Sequence, residues 1–378
     1  MYCYIHIPFC NNRCKYCRFT SFSNTQEKEK TKYVDFLIEN IKNDYLNFEK
    51  QKTKQKLQFN NNLDSIYFWW WTPTSLDNVQ LRNIILALKT RYWFTKNIEI
   101  TLESTLNNVS PENLKIWNEF WINRLSLGVQ TLNDKSLKEI WRLRRKEIIQ
   151  KLNIIKKYLE PNQEITKNKI LNFCISLDFI IWLPFVKPLE TKKDIKFILD
   201  KYNFVKHISI YMLEEYYDYP KIWKDLSIKE NEFEKEYISC KKLLEKYWFN
   251  RYELSNFSKK WYECKHNKAY WNHKEVIAYW LWSHWFVNQT RYAYPNNFKD
   301  YYDWNFDYIE KLNKNDIFLE KVIFWLRTNW LKQDIYKKIN QQKIKYFIKN
   351  KLLDFNNYKL ILSDKWATLI DYIIKEII

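Results

Sequence analysis

The chain has 378 residues, a formal net charge of +19 and 46% hydrophobic residues. That length suffices for one large domain and an appendage, and no apolar run of about 18 residues occurs, which excludes a transmembrane helix. Seven cysteines, three of them clustered, point to a reducing setting rather than a disulfide framework. The chain opens directly on a strand pattern, so no signal peptide is expected and the expected location is cytoplasmic. Its Lys residues are spread along helices among Asn, Ile and Tyr, as AT-rich coding would produce. Nucleic acid is therefore not expected as a partner, while the same charge suits peripheral contact with an anionic membrane surface.

Tyr2-Cys3-Tyr4-Ile5-His6-Ile7 alternates and predicts a strand ended by Pro8. The loop beyond it carries Cys10, Cys14 and Cys17, spaced C-x3-C-x2-C. Zinc would need a fourth ligand, and none is near in sequence. Three thiolates from one tight loop suit a cubane iron–sulfur cluster with one iron left open for a small chelating molecule. Incidental buried thiols are the other account. The scattered Cys3, Cys174, Cys240 and Cys264 read as ordinary buried thiols.

Glu27 to Lys50 predicts a helix whose apolar stripe includes Val34, Leu37, Ile41 and Tyr45. Gln51 to Asn62 reads as a loop. A strand at Asp64–Phe68 is followed by Trp69-Trp70-Trp71-Thr72-Pro73, then a helix from Leu76 to Tyr92. Ile98–Glu103 alternates as a strand with Glu103 at its C-terminal end. Pro111 opens a helix at a first-turn position. Asn123–Gln130 and Asn172–Ile181 are further strands; Asp178 interrupts the second, and a carboxylate among apolar neighbours is costly unless paired. Lys187–Tyr202 is helical and His207–Leu213 is the sixth strand. Six strands alternating with helices argue for parallel βα units with right-handed crossovers, with ligand-binding residues at the strand C-terminal ends.

Glu230–Tyr247 is again helical. Arg251 to Phe257 leads to Cys264-Lys265-His266-Asn267-Lys268-Ala269-Tyr270-Trp271, in which His266 is one of five histidines. A histidine among aromatic rings suits heme, imidazole for the iron and rings for the macrocycle; a hydrogen-bonded structural histidine is the alternative. From Phe298 onward, helices at Ile317–Leu326, Lys332–Ile339, Lys343–Leu352 and Asp364–Ile377, with a strand pair at Leu353 and Leu360–Leu362, suggest a small winged-helix-like unit. The expected division is 1–215 for the core, 216–297 for an extension and 298–378 for the C-terminal unit.

The stretch from Tyr4 to Cys17 resembles the radical S-adenosylmethionine (AdoMet) superfamily. It looks most like the branch containing oxygen-independent coproporphyrinogen III oxidase and the HemW-type heme chaperone. Asn123–Gln130 is similar to that branch's Asn-Arg-Leu-Ser-Leu-Gly-Val-Gln, and Trp69–Pro73 to its Gly-Gly-Gly-Thr-Pro. Trp182-Leu183-Pro184 resembles its Gly-Leu-Pro, and the 251–271 segment its Tyr-Glu-(Ile/Leu)-Ser-Asn-Phe and His-Asn-x-x-Tyr-Trp. After Glu103, Ser104-Thr105 stands where the family has Asn-Pro. The resemblance implies an α/β fold, an open, partial (β/α)6 barrel, with Cys10, Cys14 and Cys17 holding a 4Fe-4S cluster whose open iron is chelated by AdoMet. It implies cofactor-binding roles for Tyr4, Tyr16, Trp70, Trp71, Thr72, Glu103, Gln130, Arg142 and Asp178, and a heme-binding role for His266.

Two activities follow from the resemblance. One is a heme chaperone, with heme, heme-accepting apoproteins and an electron donor as partners. The other is radical decarboxylation of coproporphyrinogen III, an oxidoreductase reaction. The oxidases place a fourth cysteine two residues after the third; here Phe19 stands there, as in the chaperones. A nucleic-acid-binding winged-helix protein, the third class, leaves the cysteine loop unexplained.

One feature of the composition stands apart. The chain has 1 Gly and 19 Trp, where average usage would give about 26 Gly. Trp occupies places where glycine is expected, including Trp69–Trp71, Trp182, Trp248, Trp280, Trp282 and Trp285. Tryptophan cannot supply left-handed backbone without strain. The sequence thus reads as one in which most Trp stand for glycine, through a UGA codon, while others such as Trp271 are genuine.

Overall fold

The structure is a computed structural model. It describes residues 1–10, 12–18, 21–43, 61–69, 76–160, 173–213, 219, 223, 230–281, 283–328, 330–332, 335, 337–356, 359–363 and 369–378. The strands, in chain order, begin with β1 (Tyr2–His6), β2 (Phe9–Cys10), β3 (Phe22–Ser23), β4 (Asn62–Trp69), β5 (Trp93–Thr105) and β6 (Arg124–Gln130). They continue with β7 (Cys174–Ile181), β8 (Val205–Met212), β9 (Asn250–Arg251), β10 (Asn256–Ser258), β11 (Val276–Tyr279), β12 (His284–Val287), β13 (Thr290–Ala293) and β14 (Tyr308–Lys311). The last three are β15 (Trp330–Lys332), β16 (Leu353–Asn356) and β17 (Lys359–Leu362).

Twelve strands form one open sheet in the order β14-β13-β12-β11-β1-β4-β5-β6-β7-β8-β10-β9. The six strands expected from sequence, β1, β4, β5, β6, β7 and β8, lie side by side and pair in parallel. β11 adds a seventh parallel strand on the other edge of β1. Four apolar residues, Val276–Tyr279, make it, too short a run to stand out in the sequence. Antiparallel strands then cover both flanks, β10 against β8 and the β12–β14 meander beyond β11. The architecture is α/β with a central parallel sheet, as the alternation of elements implies.

Each parallel strand has two unlike faces, because side chains alternate. One set is apolar and fully buried in the main core: Ile5, Ile66, Ile100, Leu125, Leu177 and Ile208 belong to it. The other set is polar: His6, Tyr67, Glu103, Ser126, Asp178 and Ser209. Helices connect the strands. The helix Asn78–Arg91 starts at a capping box formed by Asp77 and Gln80, which satisfies two otherwise unpaired N–H groups. Ser110 caps Pro111–Glu119, with Pro at the start as expected.

The helix from Glu27 is described to Asn43; the rest of the helix expected to Lys50 lies outside the described residues. A separate core gathers Val322, Leu326, Phe347, Leu353, Leu360 and Ile373. It is built from the helices Lys314–Thr328, Gln341–Lys349 and Ile370–Ile377 around the three-stranded sheet β15-β17-β16. Lys332, expected to open a helix, instead ends β15; positions 333, 334 and 336 of that helix lie outside the described residues. Among the described residues, no helix is long and apolar enough to cross a membrane.

Leu177 lies mid-strand in the parallel sheet with no exposed surface. Leu177→Ala should cost roughly 2–5 kcal/mol, seen as a lower urea midpoint with an unchanged slope.

Candidate functional site

The polar faces of the parallel strands line two adjoining cavities, of about 310 Å³ and about 630 Å³, which share Arg18, Trp69, Glu103 and Tyr211. The smaller one lies beside the cysteine loop. Pro8 ends β1's run, and β2 then pairs with β3, with Phe22 donating its N–H to the Pro8 carbonyl at 2.8 Å. The loop between them is tight: Cys17 N–H reaches the Cys14 carbonyl at 3.0 Å, and Arg13 Nε the Cys17 carbonyl at 3.3 Å. All three thiols are buried and none is in a disulfide.

Behind the loop, Arg142 is placed by the end of the helix Asp134–Glu139, where its N–H returns to the Leu137 carbonyl at 2.9 Å. Its Nη2 donates to the Gly128 carbonyl at 2.6 Å and its Nη1 lies 3.9 Å from Cys14 Sγ. Gly128 is the one glycine of the chain. A Cβ there would meet the side-chain ends of Gln130 and Arg142, so any larger residue would have to push both aside. Gln130 itself is left-handed, with φ 68°, and its buried Oε1 has no hydrogen-bond partner among the described residues. Strained backbone of this kind is held only where surrounding structure fixes it.

The smaller cavity thus brings together Tyr16, Glu103, Gln130, Arg142 and Asp178 from five separate parts of the sequence. Asp178 accepts from Ser126 Oγ at 3.1 Å. Burial pushes its carboxyl up to about 6, against the hydrogen bonds from Ser209 and Ser126 that pull the other way. Tyr67 donates to Glu103 at 2.8 Å.

The larger cavity holds Tyr4, His6, Glu103 and His266. His266 sits on the short helix Lys265–Trp271, which the sequence pattern does not single out. Its imidazole reaches Ser65 Oγ on β4 through Nδ1 at 2.9 Å and is 5.1 Å, ring to ring, from Tyr67. Nε2 is buried and has no hydrogen-bond partner among the described residues. Burial lowers its pKa to about 3, so the ring is neutral at physiological pH. Tyr4 OH pairs with His6 Nδ1 at 2.8 Å. Glu253, also on this cavity, is pushed up to about 7 by burial.

Trp70, Trp71, Thr72 and Phe19 lie outside the described residues. Sequence reasoning missed Ser65, Ser126, Ser209, Gly128 and Arg18. The first three carry a readable signal: a small polar residue two positions from a larger polar one on an otherwise apolar strand, as in Ser65/Tyr67, Ser126/Arg124 and Ser209/Tyr211.

Among the described residues, no group of three or more His, Cys, Asp or Glu converges as for a single metal ion. The cysteines fit a cluster instead. In a cubane each thiolate binds a different iron, so the ligands lie further apart than those on one ion.

Residues 4–173 match the family model of the Radical SAM superfamily. Structural similarity extends along the chain to coproporphyrinogen III oxidase (HemN) from Escherichia coli, a radical SAM enzyme. The TM-score is 0.74 at 16% identity, covering 99% of this chain and 88% of that one. Residues 4–173 thus carry a Radical SAM domain. Among curated relatives, heme chaperone HemW of Buchnera aphidicola subsp. Schizaphis graminum is 28% identical over 370 residues, 92% of each chain. HemW of B. aphidicola subsp. Acyrthosiphon pisum is 29% identical, covering 76% of this chain and 70% of the relative. HemW of Bacillus subtilis is also 29% identical, covering 79% and 74%. Within the superfamily, the chain is similar to the HemW heme chaperones over most of its length.

The folded-state pKa of Asp178 stands above the unfolded value of about 3.9. The group therefore favours folding as pH falls through 6 and opposes it above. Asp178→Asn should raise stability at pH 8 by on the order of 2 kcal/mol, the gain vanishing near pH 4; denaturant midpoints across that range measure it.

Proposed function

We propose that this chain is a heme chaperone built on a radical SAM scaffold, holding a 4Fe-4S cluster and AdoMet and delivering heme to apoproteins. The observation that carries this reading is the junction of the two cavities. One adjoins a three-cysteine loop, and the other is entered by a neutral, buried histidine nitrogen with no partner among the described residues.

In this reading Cys10, Cys14 and Cys17 hold the cluster, and bound AdoMet supplies the chelate that completes its open iron. Arg142 lies beside Cys14 and ties the cysteine loop to the strand end at Gly128. Tyr16, Glu103, Gln130 and Asp178 orient AdoMet in the smaller cavity, with Trp70, Trp71 and Thr72 assigned to the same task. In this reading Nδ1 of His266 carries the proton and donates it to Ser65 Oγ, 2.9 Å away, which leaves the Nε2 lone pair for a ligand. Tyr4 and Tyr67 present rings beside that imidazole, which suits a flat aromatic macrocycle. An electron donor for the cluster, the apoprotein recipients and a peripheral membrane contact remain part of the proposal, as does the division at 215 and 297.

Anaerobic reconstitution followed by separate assays of heme retention and coproporphyrinogen decarboxylation tests the reading. Heme retained without turnover is expected; robust decarboxylation would make the chain an oxidase instead. Cys14→Ser should abolish the iron–sulfur absorbance. His266→Ala should weaken heme retention and leave that absorbance intact, and Ser65→Ala should weaken retention roughly tenfold. Unchanged retention in His266→Ala would remove His266 from the site.

A further inference from the structure

Among the described residues, fourteen side-chain-bearing residues lie in the left-handed region at φ between 50° and 76°, and six of them are tryptophan. They are Trp121 (62°), Trp141 (60°), Trp182 (72°), Trp248 (65°), Trp261 (76°) and Trp304 (60°). Tryptophan makes up 19 of 378 residues, so chance does not put it at nearly half of these positions. A Cβ in this conformation crowds the following carbonyl, and a bulky side chain makes it a strained outlier.

Four of the six have the same local structure. Each stands two residues past the end of a helix, and the residue after it donates its N–H back into the last turn. Ile122 reaches the Trp117 carbonyl at 3.1 Å and Arg142 that of Leu137 at 2.9 Å. Phe249 reaches Leu244, and Asn305 reaches Asp300, both at 3.0 Å. This is the helix stop at which glycine is the usual left-handed residue. Trp261 is the third residue of a turn closed by Tyr262 N–H to the Lys259 carbonyl at 3.0 Å, and a positive φ at that position calls for glycine. Nor does burial explain the indoles: Trp248 is 82% and Trp261 81% exposed.

We infer that the natural polypeptide carries glycine at positions 121, 141, 182, 248, 261 and 304, each written as tryptophan because one codon, UGA, was read in the wrong genetic code. The inference extends to the ligand site. The indole of Trp280 lies flat on the His6 imidazole, ring centroids 3.3 Å apart and planes within 5°. Aromatic pairs prefer offset or edge-on arrangements at larger separation. Trp69, which borders both cavities, is the first of the triple Trp69-Trp70-Trp71. Glycine at 69 and 280 widens the site around Tyr4, His6 and His266, a consequence that rests on the proposed heme role, whereas the six backbone positions do not.

The test is peptide mass spectrometry on protein isolated from its natural source. Glycine is expected at all six positions, with tryptophan kept at Trp271 and at Trp117, a buried mid-helix residue. Tryptophan at the six would overturn the inference whatever the protein binds. A second measurement uses recombinant chain made as written: the double variant Trp248→Gly, Trp261→Gly should raise the thermal midpoint by about 2 °C. A midpoint left unchanged or lowered counts against the inference equally. In the same background, Trp280→Gly should increase heme retention at least severalfold; failure there alone would overturn the widening of the site.

Discussion

A buried guanidinium holds the cysteine loop to the sheet. Arg142 bonds the carbonyl of Gly128 with one nitrogen and approaches Cys14 with another. Tyr16 and Cys14 offset the burial that would otherwise disfavour its charge. Removing the cation would leave a strand-end carbonyl and a thiol without their partner in a low-dielectric site, which is why one residue controls so much geometry. A second tie runs in parallel, from Lys15 to Glu139 at 2.7 Å, with Trp223 Nε1 donating to the same carboxylate at 3.2 Å. Loop, helix end and strand end therefore move as one body.

From that anchor the rest of the site follows by alternation. The apolar face of each parallel strand is consumed by the core, so every second residue must face the other way. That opposite face is studded with Ser, Tyr, Asp and Glu rather than closed by aliphatic side chains. Polar groups placed inside a fold must be satisfied, and here they satisfy one another in part: Ser126 with Asp178, Tyr67 with Glu103, Ser65 with His266. Among the described residues Gln130 Oε1, His266 Nε2 and Thr101 Oγ1 are buried without a hydrogen-bond partner. The two cavities share a wall at Glu103 and Tyr211.

The legible parts were those written in short-range pattern. The spacing of Cys10, Cys14 and Cys17, the six alternating strands and the misfit of Asp178 each needed only a few neighbouring residues to read. The rest depends on distance in sequence. Ser65 and His266 are 201 residues apart, and nothing local marks Ser65 as the hydrogen-bond partner of a histidine. β11 is four residues long and gains its place by pairing with β1, across more than 270 positions. The helix carrying His266 has one turn or two and no apolar stripe. Lys332 was misread because its neighbours favour a helix, while its pairing opposite Lys359 decides for a strand.

Backbone and chemistry meet at Trp141. It is the left-handed residue that stops the helix Asp134–Glu139, and the next residue is Arg142. The turn aims that guanidinium at Gly128 and Cys14; a residue that resisted φ near 60° would aim it elsewhere. Gln130, two residues past Gly128, is left-handed as well, and the two side chains close over the glycine together. A backbone that must turn so sharply beside the cysteine loop disfavours a Cβ, and the identity of residue 141 bears on where the Arg142 guanidinium points.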